Sequence, residues 1–363
     1  MKLPAWTDLL EEQKNVLDYP LDKHLFVVGP PGSGKTTLAI QRAQLLAAAQ
    51  QSTKIITYNR MLRRLISLAT DNEVSAATMQ SLVAMHYYQL TKTLTPKHNH
   101  DRYAYNWNAI AETLKKLGTP SHCCNHLVVD EAQDLCAEFF AHATHFVCKT
   151  ITVFADDDQA LTDFGSTLEE IRSAAGLSEP LLLKNNHRNT PQIASLAEHF
   201  HTGRLPAARV RRLIQGDIPA LASVGSLKEA AIRITGWHAN RGGTIGVIVS
   251  LNKTGQELLQ EIASLNPQLP LNMYTDEYKN ENSIDVTVPG VTVLNKASVK
   301  GQEFDSVFML DLNHFLPCLS DSQKRAMYMM CCRARDFLFL LNGPSPLGPD
   351  AMASLPGPDL LQR

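Results

Sequence analysis

The chain has 363 residues, 44% of them hydrophobic and 19% charged, with a formal net charge of −2. These values describe a soluble globular protein long enough for two domains. No apolar run is long enough to span a membrane, and the near-neutral charge excludes a global pull on nucleic acid, so any such contact has to be a local patch. Seven cysteines, two pairs of them adjacent (Cys123-Cys124 and Cys331-Cys332) and none in C-x-x-C spacing, point to reduced thiols. Asp8, Glu11 and Glu12 stand where an export signal needs an apolar stretch, so the expected compartment is the cytoplasm.

Residues 5–18 read as a short amphipathic helix, with Leu9, Leu10 and Val16 apolar and Glu11, Glu12 and Lys14 between them. The apolar run 25–28 then breaks into the loop Gly29-Pro30-Pro31-Gly32-Ser33-Gly34-Lys35-Thr36 and resumes as a helix to about Ala49. Gly-x-x-x-x-Gly-Lys-Thr in strand–loop–helix context is the phosphate-binding pattern in full. Glycines let successive N–H groups curl toward a phosphate, and the helix start adds its partial positive end. Lys35 supplies a charge for the β- and γ-phosphates and Thr36 a hydroxyl for Mg²⁺. The loop predicts binding of a nucleoside triphosphate.

A second strand is expected at residues 55–58, followed by a basic helix carrying Arg60, Arg63 and Arg64. A third strand–helix passage covers residues 75–90. Residues 91–122 are polar and weakly patterned, and read as a small insertion. A buried strand at 126–129 runs into Asp130-Glu131, and another at 151–154 runs into Asp156-Asp157-Asp158-Gln159. Strand candidates continue at 181–183, 245–249, 291–294, 307–310 and 337–341. Short apolar strands alternating with helices predict an α/β fold with parallel sheets covered on both faces. The expected division is a first domain over 1–178, a second over 179–342, and a poorly ordered Pro/Gly-rich tail over 343–363.

An acidic residue at the end of a strand beside a phosphate loop is where Mg²⁺ needs a carboxylate, a role for Asp130. Glu131 is placed to orient and deprotonate an attacking water. His122, Cys123, Cys124 and His126 do not have zinc-ligand spacing, and no structural metal is expected there.

In the order and content of these segments the chain resembles superfamily 1 helicases of the UvrD/Rep type over roughly residues 7–342. Asp130-Glu131-Ala132-Gln133-Asp134 has the form of that family's second nucleotide motif. The resemblance implies two RecA-like P-loop NTPase domains that use ATP and Mg²⁺. It makes Gln13 the reader of adenine and Gln159 the γ-phosphate sensor. Asn186-His187-Arg188-Asn189 is similar to a later motif, with Arg188 acting on the γ-phosphate and His187 stacking on the base. In Lys300-Gly301-Gln302-Glu303-Phe304, Gly301 and Glu303 would meet the nucleotide, Glu303 at the ribose. The segment from Tyr328 to Asp336 makes Arg333 a second arginine finger. Tyr58, Asn59, Arg60, Thr78, Gln80 and Phe164 match positions that grip the strand.

The sequence also departs from the family. His187 stands for a tyrosine and Thr37 for an arginine, Thr162 replaces one aromatic and Thr57 another, and the two large accessory insertions are missing. Base stacking contributes about 1–3 kcal/mol per base, so lost platforms weaken strand grip without touching ATP chemistry. The reading is an ATP-dependent translocase or helicase on single-stranded DNA, with RNA the less favoured strand. The alternative is a nucleotide-gated regulatory subunit that binds nucleic acid or a nuclease, repair or defence partner without processive unwinding.

Overall fold

The computed structural model of the chain describes residues 4–57, 63, 66, 74–98, 101–118, 122–156, 165–203, 206–275 and 288–363. It divides into two compact units, residues 1–30 with 34–184, and residues 31–33 with 185–363. Among the described residues no helix is long and apolar enough to cross a membrane.

The first unit is built on a six-stranded parallel sheet. Its strands are β1 (Leu25–Val28), β2 (Thr53–Thr57), β3 (Ser75–Thr78), β6 (Cys124–Val129), β7 (Cys148–Ala155) and β8 (Leu181–Leu182), in the order β3-β2-β6-β7-β1-β8. Helices α1 (Glu11–Asp18), α2 (Lys35–Ala48), α3 (Met79–Thr91), α5 (Ala137–His142) and α6 (Leu168–Ala175) accompany the sheet. Because both faces are covered, the strands read as continuous apolar runs: all four residues of β1 are buried. Leu38, Ala39, Ala43 and Leu46 of α2 pack with Val27, Ile55, Val128 and Phe154 in one core cluster. With every pairing parallel, the loops after β1, β6 and β7 leave the sheet along one edge. That edge is where a ligand meets an open α/β sheet.

Residues 91–122, expected to lack pattern, contain a small antiparallel pair, β4 (Lys97–His98) with β5 (Asp101–Tyr105), and helix α4 (Trp107–Lys116). The order comes from aromatic packing: the Trp107 ring lies 5.5 Å from those of Tyr105 and His142. Leu181–Leu182, assigned to the second half from sequence, pairs with Val27 and Val28 of β1 in the first sheet. The break between units therefore falls after Lys184 and not near 176–182. A two-residue edge strand carries too little pattern to name its sheet.

The second unit repeats the architecture. Its parallel sheet has β11 (Ala220–Ser223), β12 (Thr244–Val249), β13 (Leu271–Tyr274), β14 (Gly290–Asn295), β15 (Phe304–Met309) and β16 (Ala334–Asn342), in the order β11-β16-β15-β12-β14-β13. A separate short pair joins β9 (Asn185–Asn186) to β10 (Arg209–Val210). Its helices are α7 (Pro191–Glu198), α8 (Leu227–Arg241), α9 (Asn252–Leu265), α10 (Asp321–Cys331) and α11 (Pro349–Ala353). Helices α8 and α9 bury Ala230, Ile234, Leu258 and Ile262 against Val247, Val291, Val293 and Phe308 of the sheet.

The expectation of a loose tail is corrected here. Leu355 and Leu361 are buried. Leu221 donates its N–H to the Gln362 carbonyl at 2.7 Å, and Gln362 returns an N–H to Pro219 O at 2.9 Å. Proline and glycine here shape turns, while two leucines anchor the segment.

Candidate functional site

The phosphate loop leaves β1 at Gly29, whose N–H donates to Ala155 O of β7. Gly32 and Gly34 have φ of +74° and +87°, a left-handed backbone open to glycine at no steric cost. Gly34 is the N-cap of α2, so Lys35 and Thr36 form the first turn of the helix and share its positive end. The Lys35 ammonium is nearly buried, donates to Gly29 O at 2.6 Å and Pro30 O at 2.9 Å, and pairs with Asp156 Oδ2 at 3.0 Å. Strand β7 lies between β1 and β6, and its end delivers Asp156 to the lysine. Ser33 is fully buried, while Thr36 and Thr37 are half-buried.

Two strands from β1, β6 ends at Asp130, which is fully buried. Its Oδ2 accepts from Thr36 Oγ1 at 2.7 Å. Burial, with the charge of Glu131 adding to it, pushes the Asp130 carboxyl up to about 7, although the Thr36 hydrogen bond and the Lys35 charge act the other way. Asp130 Oδ1 is buried and has no hydrogen-bond partner among the described residues. A hydroxyl bonded to a carboxylate that keeps one oxygen unspent is a hard, oxygen-only donor set, which fits Mg²⁺. Thr36 and Asp130 would hold the ion there.

Glu131 follows in the left-handed region at φ +55°, ψ +43°, as the cap of a short 3₁₀ turn over Ala132–Asp134. A non-glycine residue in this region is a strained position of the kind found at functional sites. The Glu131 carboxylate accepts from Gln133 Nε2 at 2.6 Å, and Gln133 Oε1 accepts the N–H of Asp156 at 3.0 Å. Sequence spacing assigns no role to Gln133, although it stands inside the quoted motif.

Gln13 lies on α1. Its Oε1 accepts from Leu10 N at 3.0 Å, and its Nε2 lies 3.1 Å from where a Cβ on Gly34 would stand, so the amide sits against the phosphate loop. Arg42 of α2 holds the chain that follows α1. Fully buried, it donates to Val16 O, Tyr19 O and Pro20 O at 2.9–3.0 Å and to Thr152 Oγ1 at 3.0 Å. Burial lowers its pKa to about 10. Arg42 thereby ties the element carrying Gln13 to the helix carrying Lys35. An arginine in a helix reads from sequence as a solvent-facing residue.

In the second unit, Asn186-His187-Arg188-Asn189 forms a turn tied by its own asparagines. Asn186 Oδ1 accepts the N–H groups of Arg188 and Asn189 at 2.9 and 3.2 Å, and Asn189 Nδ2 donates to Cys332 O and Ala334 O. Those bonds bring the turn to the end of α10, where Arg333 sits. Arg188 Nε donates to Glu303 Oε2 at 2.8 Å, and the guanidinium beside it holds the Glu303 carboxyl below its ordinary range. Arg333 is 2% exposed, with Nε on Met329 O at 2.9 Å. Gly301 takes φ +75°, and His187 is half-buried. Arg188, Glu303 and Arg333 thus form one cluster. Arg212, from the basic run 209–212, serves the fold by bonding Arg188 O, Arg335 O and Asp336.

Of the proposed strand contacts, Thr78 caps α3 by accepting from Ser81 N, and Gln80 is exposed with its carbonyl accepting from Tyr105 Oη at 2.8 Å. Tyr58, Asn59, Arg60, Gln159 and Phe164 lie outside the described residues.

A glycine cradle after a strand, a lysine at the first helical position and a threonine bonded to a strand-end aspartate define a P-loop nucleoside triphosphatase fold. Residues 13–165 match the family model described as an AAA domain. No curated protein matches it. Among solved structures it is similar to the C-terminal domain of a possible DNA helicase from Lactobacillus plantarum WCFS1, at 19% identity over 48% of this chain and 96% of that one, with a TM-score of 0.36. It is also similar to Arterivirus nonstructural protein 10 (helicase), at 12% identity over 96% of this chain, with a TM-score of 0.43. The chain spans 64% of the length of that viral protein.

Proposed function

We propose that this protein is an ATP-dependent motor on single-stranded DNA, working in the cytoplasm. One observation carries the reading: Thr36 Oγ1 stands 2.7 Å from Asp130 Oδ2, 94 positions away in sequence, in the first turn of the helix that Lys35 opens. Loop amides and Lys35 bind the β- and γ-phosphates, Lys35 leaving Asp156 to do so. Bound Mg²⁺ would spread the charge developing on the phosphate oxygens. Glu131 orients the attacking water and takes its proton. Gln13 reads adenine, His187 stacks on it, Gly301 and Glu303 meet the ribose, and Gln159 senses the γ-phosphate. Arg188 and Arg333 stabilise charge on the transferring phosphoryl group. Tyr58, Asn59, Arg60, Thr78, Gln80 and Phe164 grip the strand, Arg60 through phosphate, which makes binding weaken with salt.

The test is steady-state ATP hydrolysis with and without single-stranded DNA of graded length, beside Glu131→Gln. Turnover that rises with strand length and disappears in the variant supports the motor. Glu131-dependent turnover indifferent to DNA would sink it. A second reading, a nucleotide-gated clamp or regulatory subunit for a nuclease or repair protein, is favoured by the complete burial of Thr57. Thr57 stands where the family resemblance expects a stacking aromatic. On that reading, DNA stimulates turnover equally at every strand length.

A further inference from the structure

The carboxylate of Glu131 sits on a strained backbone and accepts from the Gln133 amide, whose orientation is fixed from elsewhere. The N–H of Asp156 can only donate, so the atom of Gln133 that meets it at 3.0 Å has to be the amide oxygen. The amide NH₂ is then the atom facing Glu131, at 2.6 Å from Oε2. Gln133 is 1% exposed, so water does not compete for either bond. Its own backbone carbonyl accepts the N–H of Ser166 at 3.2 Å, which pins the turn from a third side. Asp156, at the far end of this chain of contacts, is the ion-pair partner of Lys35. Lysine, aspartate, glutamine and glutamate therefore form a continuous line from the phosphate loop to the proposed base.

We infer that Gln133 is a positioning residue for hydrolysis, fixing the rotamer of Glu131 through its amide NH₂ and linking that carboxylate to the end of β7. The inference rests on the proposed role of Glu131 as the general base. When Lys35 moves from Asp156 to a phosphate, the end of β7 loses its cation, and Gln133 is the group through which the change reaches the base. A donor aimed at Oε2 sets the direction of the Glu131 carboxylate, and holds it there only while the acceptor side stays bonded to Asp156.

Gln133→Glu tests this. The substituted side chain keeps volume and keeps the acceptor for Asp156 N–H, but replaces the donor facing Glu131 by an oxygen that repels it. ATP hydrolysis by the full chain should show kcat reduced at least about tenfold, a fraction of what general-base catalysis contributes. KM and the Kd for a fluorescent ATP analogue should stay within about twofold, and the acid limb of the kcat–pH profile should move to higher pH. In a Glu131→Gln background the same change should have no further effect, because Gln133 acts through Glu131. An equal loss in both backgrounds, or an unchanged pH profile with full kcat in Gln133→Glu, overturns the inference. Gln133→Met removes donor and acceptor together and should reproduce the kcat loss with the melting temperature measured in parallel; full kcat in that variant also overturns it. If wild-type turnover itself does not depend on Glu131, the proposed base is wrong, an outcome read from Glu131→Gln alone and separate from those above.

Discussion

The two units hold their charges differently. In the first, Lys35, Thr36, Asp130 and Glu131 stand on the ends of strands or the first turn of a helix, Lys35 bonded to Asp156, Thr36 to Asp130, and Glu131 to Gln133. In the second, the arginines are engaged by the fold itself: Arg333 is buried on a backbone carbonyl, Arg212 serves Asp336, and Arg188 rests on Glu303. A parallel sheet gives the first unit a rigid edge on which chemistry can be placed within a hydrogen bond's tolerance. The second unit keeps its cations stable and ready, and Arg188, about one-fifth exposed, is the one with the least to break. The lesson is that the role proposed in catalysis is separable from a structural role at Arg188, whereas at Arg333 the residue proposed for catalysis also holds the fold.

The largest effect expected is on the first unit's chemistry. Lys35→Ala or Glu131→Gln should lower ATP turnover by at least about 10³-fold, with thermal unfolding little changed for Glu131→Gln; residual turnover near wild type would dissolve the contrast. Next come the arginines. Arg188→Ala and Arg333→Ala should each reduce kcat by about 10²–10³-fold, but only Arg333→Ala should also lower stability, by about 2 kcal/mol, because it strips a buried carbonyl of its donor. Equal melting temperatures for the two variants would show that burial does not distinguish them.

Arg42→Met should cost about 3 kcal/mol, leaving three carbonyls and a hydroxyl without their donor. Because it loosens the segment after α1, KM for ATP should rise more than kcat falls, and a parallel measurement of both constants checks this. The smallest effect per residue is on pH. Burial holds His126 at about 3 and His142 at about 4, and both rings belong to the first unit. The folded values lie below the ordinary value of about 6.5, so the fold favours the neutral rings. Nothing is lost above pH 6.5, and stability falls below it, by about 2 kcal/mol per ring at pH 5. Acid unfolding followed by tryptophan fluorescence should therefore begin in the first unit, and His142→Leu should flatten that acid limb.

Much of this site was legible because its residues are consecutive. Gly29 to Thr36 and Asp130-Glu131 announce themselves by spacing next to apolar runs, and the parallel sheets follow from those runs. What sequence withheld are pairings across distance. Arg188 meets Glu303 over 115 positions, and Lys35 meets Asp156 over 121. Gln133 was visible as a letter in a motif, yet its role depends on Asp156 pointing an N–H at it, which no spacing records. Arg42 was hidden because a helical arginine ordinarily faces water. The tail was misread because composition counts proline and glycine and overlooks Leu355 and Leu361, which hold it.

That tail has a consequence of another kind. Strand β11 is the outermost strand of the second sheet, and an outermost strand offers its unpaired amides to any other chain. Gln362 answers two of those groups in parallel with Ala220, and so works as a seal on the sheet's open margin. Removing the last few residues should leave ATP chemistry untouched and show itself at high protein concentration, as self-association through β11 and loss of solubility.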